Sequence, residues 1–300
     1  MKGEGVFQKM AFNSPLTKNC EMDVNTPSLL SCKEAPVVLF APGTSDDVFK
    51  SSVQLSRGTC LAQSIDRFTP IYLDTARAPI PDWRLATQEE NSVLWATAPP
   101  PAYRGVGIVR LMRSQLLRLF EGHSDVFQRA ADKDTLLHPL INMLLEIISK
   151  TGIIINHVYS ARIGRDEPNR ITMTKAVDKD ARIGLHVDSW DQCAFDDLQN
   201  SSNRLSINLG PTDRYFIFVN LTASHMNALL KKTGVNVESS ASLIGKSFMS
   251  TFPNYPVVRV RLRPGEAYIA PTENILHDGS SAGVGNVNHY LSLRGRFDFI

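Results

Sequence analysis

Cysteine is scarce in this chain: four among 300 residues (Cys20, Cys32, Cys60, Cys193), no two in C-x-x-C spacing. That excludes a small disulfide scaffold and a thiolate-only zinc module, and it fits a reducing compartment with inert thiols. Long apolar runs are missing too. The best candidate, Pro139 to Ile148, is broken by Asn142 and Glu146 and falls well short of the ~20 residues a membrane-spanning helix needs. The opening segment holds Glu4 and leads into no apolar stretch, so no secretory signal is expected and the expected location is cytoplasmic. Nor does one sign of charge dominate. Against 32 Lys and Arg stand 30 Asp and Glu, a net +2 that speaks against a nucleic-acid binder. Internal repeats and an H-E-x-x-H pair are also absent. What the chain does have is a 43% hydrophobic fraction, enough to bury a core.

The length suits either two domains of ~150 residues or one large β domain with additions. The pattern favours a single domain over residues 1–300. Residues 1–104 read as a cover: an aperiodic arm over 1–35, a short strand at Val37–Phe40, then prolines from Pro70 to Pro101 that permit only short elements. From 105 the signal sharpens. Gly105–Leu111 reads as a strand, and Ser114 caps a helix that begins with Gln115–Phe120. A second helix, about 134–150, carries Leu137, Leu140, Leu144 and Ile147 at helical spacing until Gly152. Strands follow over 153–160, 170–175, 183–188, 204–209 and 214–220. After a helical insertion at about 223–250 come 257–263, 266–270 and 288–297. Turn signals lie at Gly210-Pro211, Pro264-Gly265 and Asp278-Gly279. The fold class is therefore mostly β with flanking helices, a sandwich or barrel. Alternation over 257–263 turns Val258, Val260 and Leu262 inward and Arg259, Arg261 and Arg263 to solvent.

Two H-x-D triplets occur. His123-Ser124-Asp125 sits in a polar stretch and reads as solvated surface. His186-Val187-Asp188 falls in an expected strand, where positions i and i+2 share a face, so imidazole and carboxylate project together and can take neighbouring positions on one metal ion. Several strands later comes His277, before a Gly/Ser loop, and the last strand carries Ser292, Arg294 and Arg296 on one face. Two histidines and a carboxylate are the facial triad of non-haem Fe(II) oxygenases, with three metal positions open. An arginine on a neighbouring strand can grip a distant carboxylate through two parallel hydrogen bonds.

In the order of these elements the chain resembles the Fe(II)/2-oxoglutarate-dependent oxygenases, whose fold is a double-stranded β-helix (jelly roll). The resemblance covers about residues 105–300 and rests on His186-Val187-Asp188, His277 and the last-strand arginine. It implies that His186, Asp188 and His277 are the catalytic ligands of Fe(II). Arg294, aided by Ser292, would hold the distal carboxylate of the cosubstrate 2-oxoglutarate, and O2 would use a remaining metal position. The stretch from His277 to Arg294 is longer than the family's usual spacing, which leaves Arg296 as the rival anchor. The implied reaction couples oxidative decarboxylation of 2-oxoglutarate to oxidation of an unactivated C–H bond. A carboxylate at position 188 favours hydroxylation over halogenation and leaves desaturation, epoxidation and ring closure open.

Around this centre, Trp190 and Asp191 are expected at the mouth as substrate contacts or turn caps, and Asn208 and Tyr159 as cavity-lining or structural positions. The expected partner is a small molecule such as an amino acid or secondary metabolite, with neither nucleic acid nor membrane; oligomeric state leaves no trace in the sequence. Two other functions use the same residues. A cupin-like metal- or ligand-binding jelly roll needs no cosubstrate arginine, and a zinc hydrolase with a His2Asp site needs three ligands and a water.

Overall fold

The computed structural model describes residues 27–30, 37–41, 47–65, 72–111, 137–237 and 240–300. His123-Ser124-Asp125, the helix expected from Gln115 and most of the 1–35 arm lie outside the described residues. The first strands are β1 (Val38–Phe40), β2 (Gln54–Leu55), β3 (Thr59–Leu61), β4 (Tyr72–Pro79), β5 (Arg84–Leu85) and β6 (Gly105–Arg110). Next come β7 (Ile153–Asp166), β8 (Arg182–Gly184), β9 (Asn203–Asn208) and β10 (Arg214–Thr222). The last are β11 (Val258–Leu262), β12 (Glu266–Ala270), β13 (Ile275–Ser280) and β14 (Asn288–Phe299). Helices are α1 (Asp47–Lys50), α2 (Gln88–Leu94), α3 (Leu137–Ser149), α4 (Ala223–Lys232) and α5 (Ala241–Thr251).

The protein is mostly β, a sandwich of two larger sheets with a smaller one beside them. One sheet has the order β1-β6-β12-β9-β14-β7, the second β13-β10-β11-β2-β5, and the small one β3-β4-β8. From β7 onward the chain passes back and forth between layers. Strands β7, β9, β12 and β14 lie in the first sheet and β10, β11 and β13 in the second. The stretch after β8 reaches the second sheet through a single antiparallel bridge between His186 and His277.

The parity of the strands explains the layering. On β10, Phe216 and Phe218 point into the space between the sheets, where Phe216 stacks on Tyr268 of β12 with ring centroids 4.0 Å apart. A fully buried ring of this size contributes on the order of 2–3 kcal/mol. The alternate residues Ile217, Val219 and Leu221 face outward and are covered by Met226 and Leu230 of α4 and Ile244 and Phe248 of α5. On the far side, Leu205, Ile207, Leu291 and Leu293 are covered by Leu144 and Ile148 of α3. Sheets covered on both faces read as near-continuous apolar runs, as β10 does.

Several local expectations change. Residues 170–175 form no strand. They run as a loop held by Arg182, only 1% exposed, which donates to Glu167 at 2.9 Å and to the carbonyls of Thr172 and Met173. Asp278-Gly279 is no turn but the middle of β13, with Gly279 opposite Phe216. The first hundred residues do more than cover: β1 extends the first sheet beside β6, and β2 and β5 extend the second beyond β11. Arg259 is not simply solvated, since its guanidinium lies over Trp83 and Tyr215, 4.5 and 4.2 Å from the ring centres.

Candidate metal centre

His186 and Asp188 lie just past β8 rather than within it. Gly184, at φ 73°, ends the strand in the left-handed region, where an added Cβ would strike the Arg77 carbonyl. The backbone then extends again. His186 exchanges both main-chain hydrogen bonds with His277, at 3.1 and 2.8 Å, and the Asp188 N–H donates to Thr272 at 2.9 Å. Those bonds keep positions 186 and 188 on one face and set them opposite His277 of β13.

The three side chains converge. His186 Nε2 is 3.4 Å from one Asp188 oxygen and His277 Nε2 is 3.8 Å from the other, and one ligand atom from each residue lies within 4.8 Å of the other two. Cis ligands around an ion with bonds of about 2.0–2.2 Å sit ~3.0–3.5 Å apart, so these separations need only small adjustments to close on a metal. The ring orientations suit one. His186 Nδ1 lies 3.0 Å from the Gly184 carbonyl and His277 Nδ1 3.2 Å from that of Ile275. A carbonyl can only accept, so each Nδ1 carries a proton and Nε2 is the ring atom that each histidine turns toward Asp188.

Electrostatics favours a cation here. Burial alone would push the Asp188 carboxyl up, but His277, the Arg204 guanidinium and His186 outweigh it and hold the group far below the ordinary carboxylate range. Burial, with the charges of His186 and Arg204, pushes His277 down to about 3 against the pull of Asp188, so it is neutral and able to ligate at physiological pH. Burial also opposes the charged form of His186, yet its hydrogen bond to Asp188 and the nearby Asp278 raise it. A metal ion would replace that proton.

Three residues near the centre escaped the sequence reading. Arg204 of β9 donates from Nη2 to Asp188 at 2.6 Å. Asp278, taken for a turn residue, is buried 3.9 Å from His186 Nδ1 and accepts from the Thr174 amide and hydroxyl. Glu273, 2% exposed, accepts from the Trp190 N–H at 2.9 Å, and burial with Asp188 and Asp191 nearby pushes it up to about 7. Only Arg204 left a trace, as a charged residue sharing inward parity with Ser206 and Asn208 in an otherwise apolar strand.

Of the remaining expected residues, Arg294 stands directly opposite Arg204 in the β14–β9 register, on the same face as Ser292. Its Nη2 is 3.7 Å from Asp191, its guanidinium 5.6 Å from the Tyr159 ring centre, and the Nε atoms of both arginines are buried without a hydrogen-bond partner. Arg296 is exposed and donates to the Asn200 carbonyl at 3.2 Å, away from the triad. Trp190 is 59% exposed. Asp191 accepts from the Ser202 N–H at 2.5 Å, a turn cap as well as a neighbour of Arg294. Tyr159 is half-exposed at a bulge of β7 beside His157. Asn208 does not reach the centre: fully buried, it donates to the Thr212 and Leu262 carbonyls and accepts from Gly210 and Asn288.

A cavity of about 440 Å³ opens onto His186 and Asp188, and a second of about 200 Å³, bordered by Gln192, Cys193 and Glu273, shares Asp188, Ser189 and Ser242 with it. A larger cleft of about 690 Å³ beside Lys50 and Trp95 is lined by no carboxylate, histidine or cysteine. Among the described residues no helix is long and apolar enough to cross a membrane. No protein-family model matches the sequence, and no curated protein matches it either.

Proposed function

We propose that the protein is an Fe(II)- and 2-oxoglutarate-dependent oxygenase that hydroxylates, or otherwise oxidises, a C–H bond of a small molecule, on a double-stranded β-helix. The observation that carries this reading is the triad itself: His186, Asp188 and His277 converge at one point, with both imidazoles turning Nε2 toward Asp188 beside an open cavity. The passage of β7 to β14 between the two sheets, with His186 bridged to His277, supports the jelly-roll assignment. When bound, Fe(II) and 2-oxoglutarate supply the oxidising chemistry with O2, and the protein supplies position and a dry site.

Within that reading each residue has a task. His186 and His277 hold the ion through Nε2 and Asp188 through a carboxylate oxygen, which leaves positions for the cosubstrate and O2. Arg204 keeps Asp188 aimed and charged. Arg294 is the stronger anchor for the distal carboxylate, with Ser292 beside it, because its buried Nε is a donor lacking an acceptor and Arg296 points to the Asn200 loop. A His2Asp zinc hydrolase has one observation in its favour: Glu273, a buried carboxyl near pH 7, borders the smaller cavity beside Asp188. The Trp190 N–H that Glu273 already accepts makes it a clamp on the mouth loop rather than a base.

Succinate production separates the readings. Protein given Fe(II) and 2-oxoglutarate in air should release succinate even without the physiological substrate, and His186→Ala, Asp188→Ala and His277→Ala should not. Succinate at the level of protein-free controls, or equal release by the variants, would remove the oxygenase assignment.

A further inference from the structure

The 440 Å³ cavity beside the triad lies within the ~300–1,000 Å³ of small-molecule sites, and its wall has a definite chemical character. Strands β4 and β8 and the residues after β8 contribute Leu73, Ile183, Leu185 and Val187. Two further apolar side chains stand at its edge in water: Val177, 97% exposed, and Trp190, 59% exposed. Apolar groups from separate segments left bare around one opening mark a surface that a ligand covers.

The charges are one-sided. Apart from the metal ligand Asp188, the lining holds no carboxylate, while Lys175 and Lys246 both border it. Lys175 is engaged by Asp180 at 2.8 Å and Glu167 at 3.7 Å. Lys246, exposed on α5, has no ion-pair partner among the described residues. Ser189 and Ser242 add hydroxyls to the same lining.

We propose that this cavity binds a small amphipathic carboxylate, its aliphatic body along Leu73, Ile183, Leu185 and Val187 and its charged end on the Lys246 ammonium. This deepens the oxygenase reading by naming the substrate class: the assignment of the oxidised carbon rests on that reading, the binding does not. The body, not the carboxylate, is then the part held beside His186 and Asp188.

Binding is testable without metal or oxygen. Octanoate, octan-1-ol and octylamine are titrated into chelator-treated protein, with tryptophan fluorescence and calorimetry as readouts. Octanoate should bind best and octylamine worst. Lys246→Gln should weaken octanoate about threefold and Lys246→Glu about tenfold, as expected for one partly exposed ion pair and its reversal, while Lys246→Arg should not. Octanol binding as well as octanoate, or Lys246→Glu leaving octanoate unchanged, would overturn the proposal. Because no iron, 2-oxoglutarate or O2 is present, failure here leaves the succinate result standing, and failure of the succinate assay leaves this result standing.

Discussion

Replacing Arg204 with Gln probes the charge balance of the metal centre. Arg204 Nη2 lies 2.6 Å from Asp188, whose side chain is 6% exposed, while that of Arg204 is 26% exposed. Removing one partner of a fully buried ion pair costs about 3–5 kcal/mol, mostly because the other charge is left uncompensated. Partial exposure of the arginine, and two imidazoles sharing the carboxylate, reduce this to about 2–3 kcal/mol. At about 2–3 °C per kcal/mol for a chain of this size, metal-free Arg204→Gln should melt about 4–9 °C below the parent. A divalent ion bound by His186, Asp188 and His277 supplies the missing positive charge. It should therefore raise the melting temperature of the variant by several degrees more than that of the parent, narrowing the gap. The assay is thermal unfolding by circular dichroism with chelator and with saturating Zn(II) or Mn(II). Equal metal-induced shifts in the two proteins would mean that Arg204 and the ion do not meet at Asp188, and the proposed centre would be wrong.

Other outcomes follow from the same geometry. Glu273 is raised in the folded protein, to about 7 from the ordinary ~4.5, so its contribution is fully present below pH ~4.5 and is lost as pH climbs to 7. Glu273→Gln keeps an acceptor for the Trp190 N–H and removes the charge. The variant should match the parent at pH 4.5 and exceed it by about 1–3 kcal/mol at pH 8 in urea unfolding of metal-free protein, and no difference at pH 8 would refute this. Arg294→Ala should raise the KM for 2-oxoglutarate at least tenfold, as the loss of a two-pronged carboxylate contact implies, whereas Arg296→Ala should change it less than twofold. The opposite ranking in a succinate assay would move the anchor to Arg296.

The sequence carried the β-rich half well because its cues are local. Clean alternation in 258–262 and the buried run of β10 follow from side-chain parity alone, and helices α4 and α5 fall inside the expected insertion. Long-range pairing erased other cues. Asp278-Gly279 has turn composition, yet β10 on one side claims it as strand, and residues 170–175 have strand composition but are held by the side chain of Arg182. The strand expected at Val37–Phe40 appears as β1, but short β2 and β5 left no pattern of their own, because β2 is made a strand by β11, about two hundred residues on, and β5 by β2. At the site, the spacing of His186 and Asp188 was readable, whereas the role of Arg204 depends on a contact across sixteen residues. Of the two roles open to Asn208 its hydrogen bonds show the structural one, since a polar side chain on an inward face serves a turn as readily as a cavity.

The central claim, that His186, Asp188 and His277 hold a metal able to bind the cosubstrate, is tested most directly by anaerobic titration of the metal-free protein with Fe(II) and 2-oxoglutarate. A weak visible charge-transfer band should saturate at one iron per chain, disappear in Asp188→Ala and His277→Ala, and need more 2-oxoglutarate in Arg294→Ala. No band at saturating iron and cosubstrate, or an undiminished band in the ligand variants, would contradict the account.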